Sequence, residues 1–255
     1  MSINIFYLRC RLFPMLKKSN KLCLLKTGSA FLSNFILLIL FSCNSSDSSK
    51  EKSIITDDIY FEYSITAEEG DDNLTIKLQY LDGDEKGKAF TLEEPGKTEL
   101  DGEILLADSS KLSGTYYEIQ KPIETFSGKH HIVFTNSNGK QYEETIDFKP
   151  FVLLTQINAS VKRDSLVFDF EGLETVDFVR VVVTDTSFYN EGINRLDTVR
   201  NGRLIVSGNE LENISNGPVQ LAFIREFERP IRNGTEAGGK VSITYIIKRN
   251  LILIE

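Results

Sequence analysis

Few side chains in this sequence are of the types that do covalent chemistry at neutral pH. Its 255 residues include two histidines, His130 and His131, and three cysteines, Cys10, Cys23 and Cys43. The histidines are adjacent in a segment with strand alternation. Successive strand side chains point to opposite faces, so the two rings do not share a metal ion; one is expected partly buried and the other solvated. No Gly-x-Ser-x-Gly, His-Glu-x-x-His or phosphate-cradling glycine loop is present. Carboxylates are abundant, but their spacing does not mark a glycosidase pair. Two acidic clusters, Glu68-Glu69-Gly70-Asp71-Asp72-Asn73 and Asp82-Gly83-Asp84-Glu85, carry the oxygen ligands that calcium takes. Neither has EF-hand spacing, and Gly, Asp and Asn are ordinary turn residues, so solvated hairpin tips are the expectation. Neither a catalytic set nor a metal or cofactor site is expected, and the chain reads as noncatalytic.

Aromatic residues offer recognition instead. Tyr116 and Tyr117 could stack on a sugar face, but they lie in a strand pattern that turns one of them to the core. Phe188, Tyr189 and Asn190 fall in a segment without alternation. Adjacent rings on a loop suit a contact site, which makes these three the partner-binding candidates. The competing reading is that one ring caps an open end of the core.

The chain carries 29 Lys+Arg against 37 Asp+Glu, a formal charge of −8. That excludes a nucleic-acid binder, which needs a basic footprint. The charge is unevenly placed. Residues 54–150 hold nine Lys, no Arg and 21 acids, whereas residues 151–255 hold nine Arg, three Lys and 14 acids.

The elements that must position these groups are strands. From residue 57 the apolar period is two, as in Ile59, Phe61, Tyr63, Ile65 and again in Leu74, Ile76, Leu78, Tyr80. Further strands are expected at 88–93, 98–106, 115–120, 129–135 and 141–148. A second string follows at 152–158, 165–170, 176–185, 195–199, 203–207, 218–228 and 240–248. Asp82-Gly83, Pro95-Gly96, Asp101-Gly102 and Asn138-Gly139 mark turns. Only Asp108–Leu112 and Asn209–Ile214 suggest single helical turns. The spacing predicts an all-β fold of two tandem β-sandwich domains, 57–150 and 151–255, with one larger barrel as the alternative.

The N-terminus reads as an address. Residues 1–42 hold six basic residues and no acid, then the apolar run from Phe35 to Phe41. Leu40-Phe41-Ser42-Cys43 resembles the lipobox of bacterial lipoproteins, which implies cleavage after residue 42 and lipidation of Cys43. Residues 43–56 then form a polar, flexible tether. The body resembles the immunoglobulin-like modules of surface lipoproteins in Bacteroidota-type bacteria, in strand spacing and without a specific motif. Asp164-Ser165 and Asp197-Thr198 look like the short O-glycosylation sequon of those bacteria. The resemblance implies a lipid-anchored protein of the cell envelope, at the outer membrane, acting as a binding or scaffolding module for a protein or glycan partner. A carbohydrate-binding accessory lipoprotein is the alternative, and an enzyme the third reading. Immunoglobulin-like topology also implies that the loop at 229–239 faces the first domain. Arg229 and Arg232 are then expected to pair with the loop carrying Glu68, Glu69, Asp71 and Asp72.

Overall fold

The alternation over residues 59–80 builds the first hairpin of the computed structural model, which describes residues 58–186 and 192–255. Strands β1 (Ile59–Glu68) and β2 (Asn73–Asp82) bury one apolar face each and turn through Gly70, whose φ of 92° suits a residue without Cβ. Then follow β3 (Lys97–Leu100), β4 (Glu103–Ile104), β5 (Ala107–Ser110), β6 (Gly114–Pro122), β7 (Gly128–Thr135) and β8 (Gln141–Phe148). Strands β5-β6-β2-β1 form one layer and β4-β3-β7-β8 the other. Phe61 and Phe134 meet edge-on at 5.1 Å between them, and Tyr80 lies 4.7 Å from Phe134. The Tyr80 hydroxyl, buried in this core, donates to Thr98 Oγ1 at 2.6 Å.

The second string supplies β9 (Val152–Leu153), β10 (Ser160–Lys162), β11 (Leu166–Glu171), β12 (Val176–Asp185), β13 (Ile193–Arg200), β14 (Arg203–Val206), the one-turn helix α1 (Gly208–Leu211), β15 (Gly217–Pro230) and β16 (Gly239–Ile254). Strands β13-β12-β15-β16 are covered by β14-β11-β9, with a bridge at Arg200–Arg203 turning one layer into the other. Phe168 and Phe170 stand 4.8 and 4.9 Å from Phe223 across the layers. The fold is therefore all-β, and each string makes a sandwich whose strand order is immunoglobulin-like.

The ladder does not stop at residue 150. Strand β16 pairs antiparallel with β15 from Leu253 to Lys240, and its first half also pairs in parallel with β1, from Phe61–Gly239 to Glu68–Ile246. The core is continuous too, through Phe148, Tyr245, Phe151 and Phe170. All described residues belong to one compact unit.

Several elements differ from the spacing-based expectation. Residues 88–93 make only a bridge, Leu81–Ala89. Asp108 begins no helical turn, because 107–110 lies along β6 as a strand. Residues 152–158 shorten to β9, and β10 forms separately against β16. The hairpin β15–β16 is longer than expected at both ends: β1 offers its inner half a second partner, and β10 pairs with the outer end of β16. The expected loop at 229–239 shrinks to 231–238.

Candidate functional site

The long hairpin carries the arginines singled out in the sequence to the first sandwich, where they meet a different carboxylate. Arg229 Nη2 donates to Glu144 Oε1 at 3.0 Å and to the Thr145 carbonyl at 2.7 Å. Arg232 donates its backbone N–H to Glu144 Oε2 at 2.6 Å. Glu144 is only 3% exposed. The loop at 68–72 pairs farther along β16: Lys248 Nζ sits 2.6 Å from Glu68, and Arg249 pairs with Glu69. Asp71 and Asp72 are exposed and serve through their backbones, Asp71 N–H on Glu68 O and Asp72 O under Ile123 N–H. The pairing of Arg229 and Arg232 with 68–72 is thus corrected. Alternate residues of β15 reach the β8 edge, while β16 lies on β1 beside that acidic loop. The sequence offered no signal for Glu144, one of 21 acids in its half.

These contacts close one seam of the first sandwich. Arg225 extends the closure, with Nη2 2.8 Å from Asp177 and Nη1 3.4 Å from the Lys149 carbonyl. The remaining sequence candidates fall elsewhere. His130 stacks on Phe126 at 3.6 Å between ring centres, with Nδ1 2.7 Å from Asp101 and Nε2 2.9 Å from the Phe126 carbonyl. His131 points to the other face and is exposed. Tyr117 is buried and its hydroxyl accepts from Leu92 N–H at 2.8 Å. Tyr116 is covered by Lys77 Nζ, 4.5 Å from the ring centre. Neither ring makes an open stacking platform. Among the described residues no cluster of three His, Cys, Asp or Glu side chains gathers for a metal ion. Cys43, Phe188, Tyr189 and Asn190 lie outside the described residues.

The opposite seam is open. Between residues 91–97 and the 104–107 crossover lies a cavity of about 690 Å³, lined by Leu92, Pro95, Ile104, Leu106 and Tyr117, with Glu94 and Lys97 at its polar side. Leu105 turns inward, and its N–H reaches the Thr98 carbonyl at 2.9 Å. That leaves its neighbours facing out, Ile104 at 57% and Leu106 at 82% exposure, with Leu112 fully exposed beyond β5. Alternation put Ile104, Leu105 and Leu106 inside one long strand, 98–106, with no sign that the chain changes layers there.

No family model and no curated protein matches the chain. Among solved structures, SGBP-B of the Bacteroides ovatus mixed-linkage glucan utilization locus, in complex with a mixed-linkage heptasaccharide, is 14% identical over 71% of this chain and 43% of its own, with a TM-score of 0.21. A 1.5-MDa bacterial ice-binding adhesin is 14% identical over 78% and 66%, with a TM-score of 0.23. The N-terminal eight Ig domains of Down Syndrome Cell Adhesion Molecule are 13% identical over 76% and 28%, with a TM-score of 0.25. At these TM-scores they carry no inference about ligand or partner.

Proposed function

We propose that this chain is a noncatalytic binding module of the cell envelope, anchored through lipid on Cys43 and presenting two packed sandwiches to a partner. The observation that carries the reading is the open seam of the first sandwich. Scattered exposed apolar residues are ordinary, but Ile104, Leu106 and Leu92 rim one cavity on a scaffold braced by the long hairpin. The lipobox-like Leu40-Phe41-Ser42-Cys43 supports the anchor, and Phe188 with Tyr189 remains a second proposed contact.

The test has two arms. Cys43→Ala is expected to abolish fatty-acid labelling and to move the protein out of the membrane fraction; continued labelling would defeat the anchor. Crosslinking from membranes is expected to recover a partner with the wild type and to lose it with Leu106→Ser, while Phe188→Ser/Tyr189→Ser reports on the second contact. A wild type that captures neither protein nor glycan above background would defeat the binding reading.

A further inference from the structure

We infer, resting on that binding reading, that the open seam takes an extended, cationic segment of another protein, which adds as a strand beside β5 and lays alternate apolar side chains into the groove between 91–97 and 104–107. Strand β5 ends the twelve-stranded sheet and is paired on one side only, by β6. All four of its residues are exposed. An edge strand with an unpaired side is a template for another strand. Of the four β5 residues only Asp108 is charged, and the flanking residues Leu106 and Leu112 are among the most exposed apolar side chains described. Side chains on one face of a strand repeat at about 7 Å, so alternate residues of an added segment would reach the groove wall in turn.

Charge selects the occupant. Glu94 and Lys97 line the groove, and Glu93, Glu99, Glu103, Asp108, Lys111 and Lys121 stand on the segments beside it. Lys97 pairs with Glu99 at 2.9 Å and Lys121 with Glu103, which leaves Glu93, Glu94 and Asp108 against Lys111. Asp108, which accepts from Ser109 N–H at 2.6 Å and from the Tyr116 hydroxyl at 3.4 Å, is the one charged group on β5 and suits a facing lysine or arginine. A second copy pairing through this same edge would bring acid against acid, so a cationic segment of another protein is the better match. The molecule already uses the same device at its other seam, where β16 adds to β1 and the Arg229 guanidinium meets Glu144.

The test uses the full chain and a labelled short peptide alternating lysine and valine, read by fluorescence anisotropy at low and high salt. Binding is expected, weakened by salt, and reduced roughly tenfold or more by Leu106→Ser or Ile104→Ser, which remove an apolar anchor without adding charge, since truncating a central apolar anchor has effects of that order. Both positions are exposed, and unchanged melting of the variants confirms that they fold. A peptide with proline at alternate positions, which cannot donate to the edge, is expected not to bind. Hydrogen exchange is expected to slow at residues 107–110 when the first peptide is bound. Equal binding of a glutamate–valine peptide, equal binding by the Ser variants, no binding at all, displacement by a neutral glucan, or self-association through this edge would each overturn the inference. If membrane crosslinking recovers a partner equally with wild type and Leu106→Ser, the inference falls and the binding reading stands. If the wild type recovers none, both fall.

Discussion

Glu144 is a buried carboxylate that only tertiary structure makes important. Its two oxygens are held by one side-chain donor, Arg229, and two backbone donors, the Arg232 and Thr145 N–H groups. The two arginines should therefore behave differently. Arg229→Ala leaves a buried charge without its counter-ion and is expected to cost about 3 kcal/mol in urea denaturation. Arg232→Ala keeps the N–H and is expected to stay within about 0.5 kcal/mol of the wild type. Equal losses would show that the backbone contact is not what Arg232 contributes. Asp101 offers a pH test. Burial pushes its carboxyl up, but the His131 N–H and the His130 ring outweigh this and hold it below its ordinary 3.8. A carboxylate with a lowered folded pKa stabilises above the unfolded value and loses that contribution as pH falls through the folded one. The urea midpoint of the wild type is thus expected to fall below about pH 4, and Asp101→Asn to be less stable at neutral pH yet flatter across that window. The opposite-face placement of the two histidines was legible from adjacency alone. The Asp101 contact to His130 was not, because it comes from a hairpin turn 29 residues away, and the Phe126 contact was not, because it depends on the one-turn fold-back of 123–126.

At the scale of elements, the β15–β16 hairpin does most to decide the architecture. Its inner half can lie on β1 only because Gly239 lacks a side chain: a Cβ there would stand 2.3 Å from the Phe61 carbonyl oxygen and 2.8 Å from Phe61 Cβ. Gly239→Ala is expected to destabilise the protein by more than about 2 kcal/mol, as backbone clashes in a paired strand do. Gly238, at φ 79° with no heavy atom near its Cβ position, provides the control. Its alanine variant is expected to lose only about 1 kcal/mol, the conformational cost of a positive φ. Chemical denaturation of the two variants separates close approach from backbone conformation; a smaller loss at 239 than at 238 would contradict the strand pairing. The other elements followed local signals more closely. The strand 176–185 has the bounds that alternation set, and α1 starts where Ser207 and Glu210 can cap it, with Ser207 N–H 2.9 Å from Glu210 Oε2.

For the whole molecule, one sheet and one core run through both sandwiches, so the halves are expected to unfold together. Tyrosine fluorescence and far-ultraviolet circular dichroism should give a single, coincident transition, and Arg229→Ala should shift both probes equally. Two separated transitions would mean that the seam adds little. A fragment ending at residue 150 lacks the strand beside β1 and the arginines against β8. It is expected to show no cooperative transition, because Phe61 and the Glu144 carboxylate would lose their cover.

The sequence by itself determined what depends on neighbouring residues. A period of two decides a strand and its buried face, a glycine with positive φ permits a turn, and a charge count argues against a nucleic-acid partner. It also showed that the acids gather in one half and the arginines in the other. Tertiary structure alone decided which of them meet. The parallel pairing of β1 with β16 joins residues 178 apart, as Tyr63 with Val241, and nothing local encodes that register. It arises because the first sandwich leaves the β1 edge unpaired and the hairpin is long enough to reach it. The same cause buried Glu144 and braced one seam. The crossover at 104–107, where Leu105 turns in and Ile104 and Leu106 turn out, left the other seam open.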